Sequence, residues 1–416
     1  MIDAASPTVR AILERCLEDR DLDVDDAVIL CRATGPDLDA LRLAADALRR
    51  RQVGDTVAYV INRNVNFTNA CVKACHFCAF SRPKKSDEAY FLDAEEIVRR
   101  AVEARDLGAT EVCIQAGLAP GMDGRLYIDL TRAIKRAAPE LHIHAFSPEE
   151  VKYGAKLTRM SFAEYIGELI EAGLGSIPGT AAEILDDEVR ARLAPGRITT
   201  AEWIEVIRAA HAAGLPTTST LMFGTVETDR QRMQHLALLR DIQKDTRGFT
   251  EFVPLSFVAD EAPLTVRQLI PGLSRGPSDD DVARLYAIAR LMLGRYIPNL
   301  QVSWVKQGIE RVTELLAWGA NDLGGTLMNE SISTSAGADH GQFQSPARLR
   351  RAAREAGRIP VQRDTRYRLL KTFSRDPDED TEQDPLDRVT DAESTFGTYV
   401  QLTRSSSFRF RPRVLG

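Results

Sequence analysis

Eight short apolar, β-rich runs, each followed by an amphipathic stretch of ten to twenty residues, dominate the chain from Thr56 onward. The strand-like runs are 57–61, 111–115, 142–146, 174–178, 216–222, 251–257, 300–305 and, more weakly, 321–325. Helical periodicity fills 94–107, 126–138, 162–172, 201–213, 229–244 and 279–293 between them. Strand and helix in strict alternation require parallel strands with crossover helices, and eight such units close most economically into a (βα)8 TIM-type barrel. Such a barrel carries its chemistry in the loops at the C-terminal ends of its strands.

The barrel is expected to span 55–372. A helical segment, 1–54, precedes it, with a turn at Thr34-Gly35-Pro36-Asp37. The 373–416 extension opens on an acidic, proline-containing run, 375–382, expected to be a flexible linker, and the aromatic stretch 396–415 could dock back on the body or onto a second subunit.

At 44% apolar and 27% charged residues, the composition is that of an ordinary globular protein with a sizeable core. The net charge of -6 comes from acids and bases interspersed along the chain, which excludes a nucleic-acid partner and favours a small molecule. No apolar run approaches the length of a membrane span, about 18 residues, and the N-terminus lacks a basic start followed by an apolar stretch. The expected location is the cytoplasm.

Three of the six cysteines crowd together: Cys71, Cys75 and Cys78 form CxxxCxxC directly after the first barrel strand, while Cys16, Cys31 and Cys113 stand alone. Such usage indicates metal chemistry rather than a disulfide framework. Three thiolates on a [4Fe-4S] cube leave one iron open to chelate S-adenosylmethionine (SAM). The alternative is zinc with His76 as fourth ligand, but His76 adjoins Cys75, whereas paired zinc ligands are normally spaced by two or more residues.

An aromatic residue, Phe77, precedes the last of these cysteines, and this pattern after strand one resembles the radical SAM superfamily. Further strings, 64–69 (NVNFTN), 78–82 (CAFSR), 142–149 (HIHAFSPE), 178–185 (PGTAAEIL), 251–255 (EFVPL) and 319–326 (GANDLGGT), resemble the tyrosine-using subunit of the deazaflavin (FO) synthase family. The resemblance runs from about 55 to 367. It implies a radical SAM transferase that cleaves SAM to a 5'-deoxyadenosyl radical and moves the 4-hydroxybenzyl group of L-tyrosine to 5-amino-6-(D-ribitylamino)uracil in coenzyme F420 biosynthesis. It also implies a flavodoxin or ferredoxin as reductant and a second synthase subunit as partner. A radical SAM paralogue acting on a futalosine-type substrate or another amino acid is the alternative within the class; a non-catalytic Fe-S or zinc protein is the alternative outside it.

The resemblance places Phe77 near the adenine of SAM and Gln115-Ala116-Gly117 along its methionine moiety, with Ala116 where the family usually has glycine. Glu183 would bind the ribose hydroxyls, or serve as an acid at a helix N-terminus. Arg197 could pair with the SAM carboxylate or be merely solvated. His144, sharing a strand face with His142, could reach substrate or be a hydrogen-bonded barrel histidine. Asn64 and Asn66 could read substrate or cap a turn. Asn321 and Asp322 could close the substrate side. Thr225 and Glu227 follow the fifth strand as candidate catalytic groups, but Thr225 and Ala259 stand where the family tends to carry histidine, and threonine cannot titrate near neutrality.

Overall fold

The computed structural model describes residues 2–411 except 271, 272, 274 and 382; Met1, Glu382 of the acidic run and 412–416 of the terminal aromatic stretch lie outside the described residues. Nine strands are present among the described residues: β1 (Thr56–Val60), β2 (Asn62–Val65), β3 (Glu111–Ile114), β4 (His142–Ala145), β5 (Thr217–Phe223), β6 (Phe249–Ser256), β7 (Asp322–Gly325), β8 (Ile359–Arg363) and β9 (Leu369–Thr372). The ring closes through parallel pairs throughout. β2 pairs with β3 and β3 with β4; His144 bridges Ser176, Ile177 bridges Thr217, β5 pairs with β6, Phe252 bridges Leu300, Gln301 bridges Asp322, and β7 pairs with β1.

Two of the expected strands are thus reduced to bridging residues. The run 174–178 ends at Pro178, which has no N–H to offer a ladder. The run 300–305 stops because the chain turns into the helix Trp304–Gln307. The first strand is longer than expected, because β1 continues through Ile61 into β2.

β8 was not foreseen, and Pro360 inside it is the reason the run does not read as a strand. It pairs in parallel with β1, from Thr56↔Ile359 to Tyr59↔Gln362, and antiparallel with β9. Inserted beside the lower part of β1, it carries Arg363 and Thr365 under the barrel interior.

The helices Pro7–Leu17, Val24–Leu30 and Pro36–Val53 precede the barrel, the last burying Leu41, Ala44, Ala45 and Leu48 against the helix Asp279–Leu293. Among its described residues the acidic run is exposed except for Asp380, which is half-buried. Arg350 pairs with Asp384 at 2.6 Å, Asp380 at 2.9 Å and Asp387 at 3.3 Å, and Arg354 holds Asp380 at 2.8 Å. Beyond it, Tyr399 lies 5.5 Å from the Phe80 ring, donates to the Phe80 carbonyl at 3.3 Å and accepts from Asn69 at 3.3 Å. Phe91 and Ala89 bond to the backbone of Phe408 and Phe410. The extension therefore buttresses the loop that carries the three cysteines. No helix among the described residues is long and apolar enough to cross a membrane.

Candidate active site

The loop after β2 folds back on the first turn after β3. The Cys71 N–H donates to Arg82 O at 3.0 Å and the Val72 N–H to Leu118 O at 2.9 Å, while the Cys71 sulfur accepts the N–H groups of Lys73 and Leu118, each at 3.4 Å. All three cysteines line one end of a cavity of about 420 Å³ that occupies the barrel mouth and interior. Burial pushes the Cys75 thiol up to about 12 and raises that of Cys71, Arg197 opposing the shift at both. Buried thiolates of this kind need a bound cation to exist.

The donor set fits an iron-sulfur cube better than zinc. His76 turns its Nδ1 to the Arg192 carbonyl at 2.8 Å, away from a fourth-ligand position. Among the described residues no three His, Cys, Asp or Glu groups converge as a single ion requires. A cube receives one sulfur at each of three corners and needs no such convergence.

Beside the cysteines lies a buried charge ladder. Arg197 Nη1 donates to Glu183 Oε1 at 2.9 Å, its Nε lies 3.7 Å from Glu149, and its guanidinium stands 5.6 Å over the Phe77 ring. Lys73 faces Glu149 at 3.3 Å. Arg197 is therefore not a solvated turn residue. Nor is Glu183 a helix N-terminal acid, since Asp186 caps the next helix, Asp187–Leu193. Glu183 sits at φ +40°, in the left-handed region that non-glycine residues rarely occupy. Its Oε2, 3.5 Å from Arg190 Nη1, is buried without a hydrogen bond among the described residues, an acceptor free for a hydroxyl.

Gln115, Ala116 and Gly117 line the same end. The Gln115 side-chain oxygen accepts from Thr180 at 2.7 Å. The Ala116 N–H is held at 3.0 Å by Glu150, which also accepts from the Ser147 N–H and hydroxyl, and burial lifts this carboxyl to about 7. At Gly117 a Cβ would press into the Ala70 carbonyl, so glycine is required for contact with the cysteine loop itself.

Deeper in the cavity, His144 Nδ1 and His142 Nε2 both stand 2.7 Å from Ser176 Oγ, whose hydroxyl donates to one ring and accepts from the other. His144 lines the cavity and His142 does not. Glu111, Glu251, Arg363 and Thr365 form the floor. Glu251 is pushed to about 7 by burial, opposed by Arg363 at 3.4 Å, and it accepts the Tyr367 hydroxyl. Asn64 also lines the cavity, and its amide has no side-chain partner among the described residues.

Several expected site residues lie elsewhere. Thr225 and Glu227 do not line the cavity; Glu227 accepts from the Gly224 N–H at 2.7 Å, the Thr225 N–H at 3.0 Å and the Thr225 hydroxyl at 2.7 Å, so the pair locks the turn after β5. Ala259 is buried and outside the lining too. Asn66 donates to Gln115 O at 2.8 Å as a brace between strands. Asn321 accepts from Arg290 at 2.7 Å and from the Leu300 N–H at 2.9 Å. Asp322 acts one step removed, holding Arg363 at 2.5 and 3.0 Å. The floor residues, with Lys306 and Glu330 at the rim, were missed because they come from distant segments. The only signal available was unusually polar strand interiors.

Residues 65–239 match the Radical SAM superfamily, and residues 246–375 match the CofH/MqnC C-terminal region. The chain is 47% identical over 363 residues to the 5-amino-6-(D-ribitylamino)uracil--L-tyrosine 4-hydroxyphenyl transferase of Methanothermobacter thermautotrophicus, covering 87% of this chain and 98% of that one. It belongs to this transferase family. The Methanocaldococcus jannaschii transferase is 47% identical over 79% of this chain and 91% of its own length. The FO synthase of Mycobacterium tuberculosis H37Rv is 49% identical over 82% of this chain, which spans only 40% of that longer protein.

Two solved structures establish the fold of this transferase-family chain as the radical SAM barrel. The hydrogenase maturase HydG from Carboxydothermus hydrogenoformans superposes with a TM-score of 0.67 at 17% identity, covering 86% of this chain and 80% of that one. Methylornithine synthase (PylB) gives 0.60 at 17% identity, covering 80% and 88%. Radical SAM enzymes use a [4Fe-4S] cluster and SAM, and the three-cysteine end of the cavity suits both.

Proposed function

We propose that this chain transfers the 4-hydroxybenzyl group of L-tyrosine to 5-amino-6-(D-ribitylamino)uracil, with Cys71, Cys75 and Cys78 as the cluster ligands. The observation that carries the reading is a single cavity that runs from the three thiols to a polar floor, in a chain colinear with named transferases of this reaction. When bound, the cluster and SAM supply a 5'-deoxyadenosyl radical.

The chain's own residues bind, orient and exclude water. Phe77, held under Arg197, offers a face to the adenine. The Glu183 carboxylate, which lines the cavity, accepts from the ribose, and the 115–117 segment, fixed by Glu150, lies along the methionine moiety. Two backbone N–H groups on the Cys71 sulfur stabilise the ligating thiolate. His144, Asn64 and the floor offer neutral and charged hydrogen-bonding groups to the second substrate. The M. tuberculosis relative, of which this chain spans 40%, supports a separate chain that completes the product. Lys84 and Lys85, exposed on the segment following the cysteines, suit an acidic flavodoxin or ferredoxin.

The test is anaerobic turnover of reconstituted protein with dithionite, SAM, L-tyrosine and the ribitylaminouracil, read by mass spectrometry. 5'-Deoxyadenosine and the benzylated uracil appearing together, only with both substrates, is the expected result. Deoxyadenosine without the adduct would assign the chain to another substrate.

A further inference from the structure

Four cationic side chains line the cavity, and among the described residues three of them are paired: Lys73 with Glu149, Arg197 with Glu183 and Glu149, and Arg363 with Asp322 and Glu251. Lys306 is the exception. It sits on the helix Trp304–Gln307, and its ammonium makes no hydrogen bond or ion pair among the described residues. Burial lowers its pKa, and the field of Glu330 works against that shift. An ammonium in a water-poor cavity with no direct ion pair is costly, and an anionic ligand in contact with it would reduce the cost.

Glu330 lines the cavity from the loop after β7 and is 5% exposed. It accepts the Ser333 N–H at 2.8 Å and the Thr334 N–H at 3.2 Å, which hold the carboxylate in place. One fixed anion and one uncompensated cation at the same rim complement a zwitterion. Phe257, Val305, Leu327 and Ile332 line the cavity alongside, apolar surface suited to an aromatic ring. This wall follows the sixth to eighth strand positions, whereas the groups assigned to SAM follow the first four, so the head group read here is not that of SAM.

We propose that Lys306 binds the α-carboxylate and Glu330 the α-ammonium of the amino-acid substrate, which the transferase reading, on which this rests, identifies as L-tyrosine. The pair discriminates against amines and acids that carry only half of the zwitterion.

Equilibrium binding to cluster-loaded protein in the presence of SAM tests this. Wild type is expected to bind L-tyrosine roughly 10- to 100-fold more tightly than L-tyrosinamide, the range of one charge-assisted hydrogen bond. K306M should weaken L-tyrosine by that factor, leave L-tyrosinamide and SAM unchanged, and be partly rescued in K306R. E330Q should weaken L-tyrosine while sparing 3-(4-hydroxyphenyl)propionate. Unchanged tyrosine affinity in K306M, equal loss for tyrosine and its amide, or an equal loss of SAM affinity would overturn the proposal. A wild type that binds another α-amino acid instead of tyrosine, with the same dependence on Lys306, would sink the transferase reading and uphold this one. A wild type that binds no α-amino acid would overturn it.

Discussion

Glu227 shows how a residue's chemistry is decided by its nearest donors. In the sequence it is an acid at the C-terminal end of a barrel strand, a position that normally signals catalysis. In the structure it satisfies three donors of its own turn and lies 3.3 Å from Arg232, with its side chain 1% exposed. E227Q removes the charge from a network built for a carboxylate, so unfolding should become easier by about 2 kcal/mol. Turnover per folded molecule should stay at the wild-type level; a large loss of kcat in an equally folded variant would return Glu227 to the chemistry. Arg197 is the opposite case. It faces the cavity between Phe77, Glu183 and Glu149, so R197M should weaken SAM binding at least tenfold by equilibrium dialysis while leaving iron and sulfide content intact.

At the scale of elements, the cysteine loop is held from two sides by segments remote in sequence. The first is the turn after β3, where Gly117 donates its N–H to Thr68 O at 2.8 Å and a Cβ would stand 3.0 Å from the Ala70 carbonyl carbon, with backbone on both sides and no flexible atom to yield. G117A should therefore lower iron bound after reconstitution. G167A, in the helix Phe162–Ala172 with open space around it, should instead raise stability by up to about 1 kcal/mol. The second is the C-terminal extension through Tyr399: Y399A should speed iron loss to a chelator, and an unchanged rate would show that the loop stands without it.

The strand-helix alternation and the cysteine spacing were readable because each is encoded within a few consecutive residues. The aromatics of the extension suggested docking, but its landing point was not readable, because Asn69, Phe80 and Tyr399 meet only once the ring has closed. The anchoring of Asp380, Asp384 and Asp387 was hidden for the same reason: their counter-charges, Arg350 and Arg354, lie on a helix of their own, Pro346–Glu355. β8 hid behind its proline, and Arg363 behind β8. Lys306, next after the run 300–305, carried no signal of its own until the cavity placed it among paired cations.

Summed over the molecule, the buried titratable groups give stability a dependence on pH with a definite sign. Burial lowers His142 and His211 to about 4 and His235 to about 3, and it lowers His144 as well. The folded state keeps these rings neutral, while the unfolded chain takes up protons below about 6.5, so each histidine costs stability as the pH falls from 6.5 toward 4. Burial raises Glu150 and Glu251 to about 7. The folded state keeps these carboxyls protonated while the unfolded chain releases its protons near 4.5, so they cost stability as the pH climbs to 7. Between 4.5 and 6.5 four histidines oppose two carboxyls and stability rises; above 6.5 only the carboxyls still titrate and it falls. Thermal midpoints from pH 5 to 8.5 should peak near 6.5, with the alkaline side lower by roughly 1 kcal/mol for each carboxyl. E150Q cannot ionise, so it should flatten that side by about half; a curve still rising at pH 8 would show that neither carboxyl holds its proton in the folded barrel.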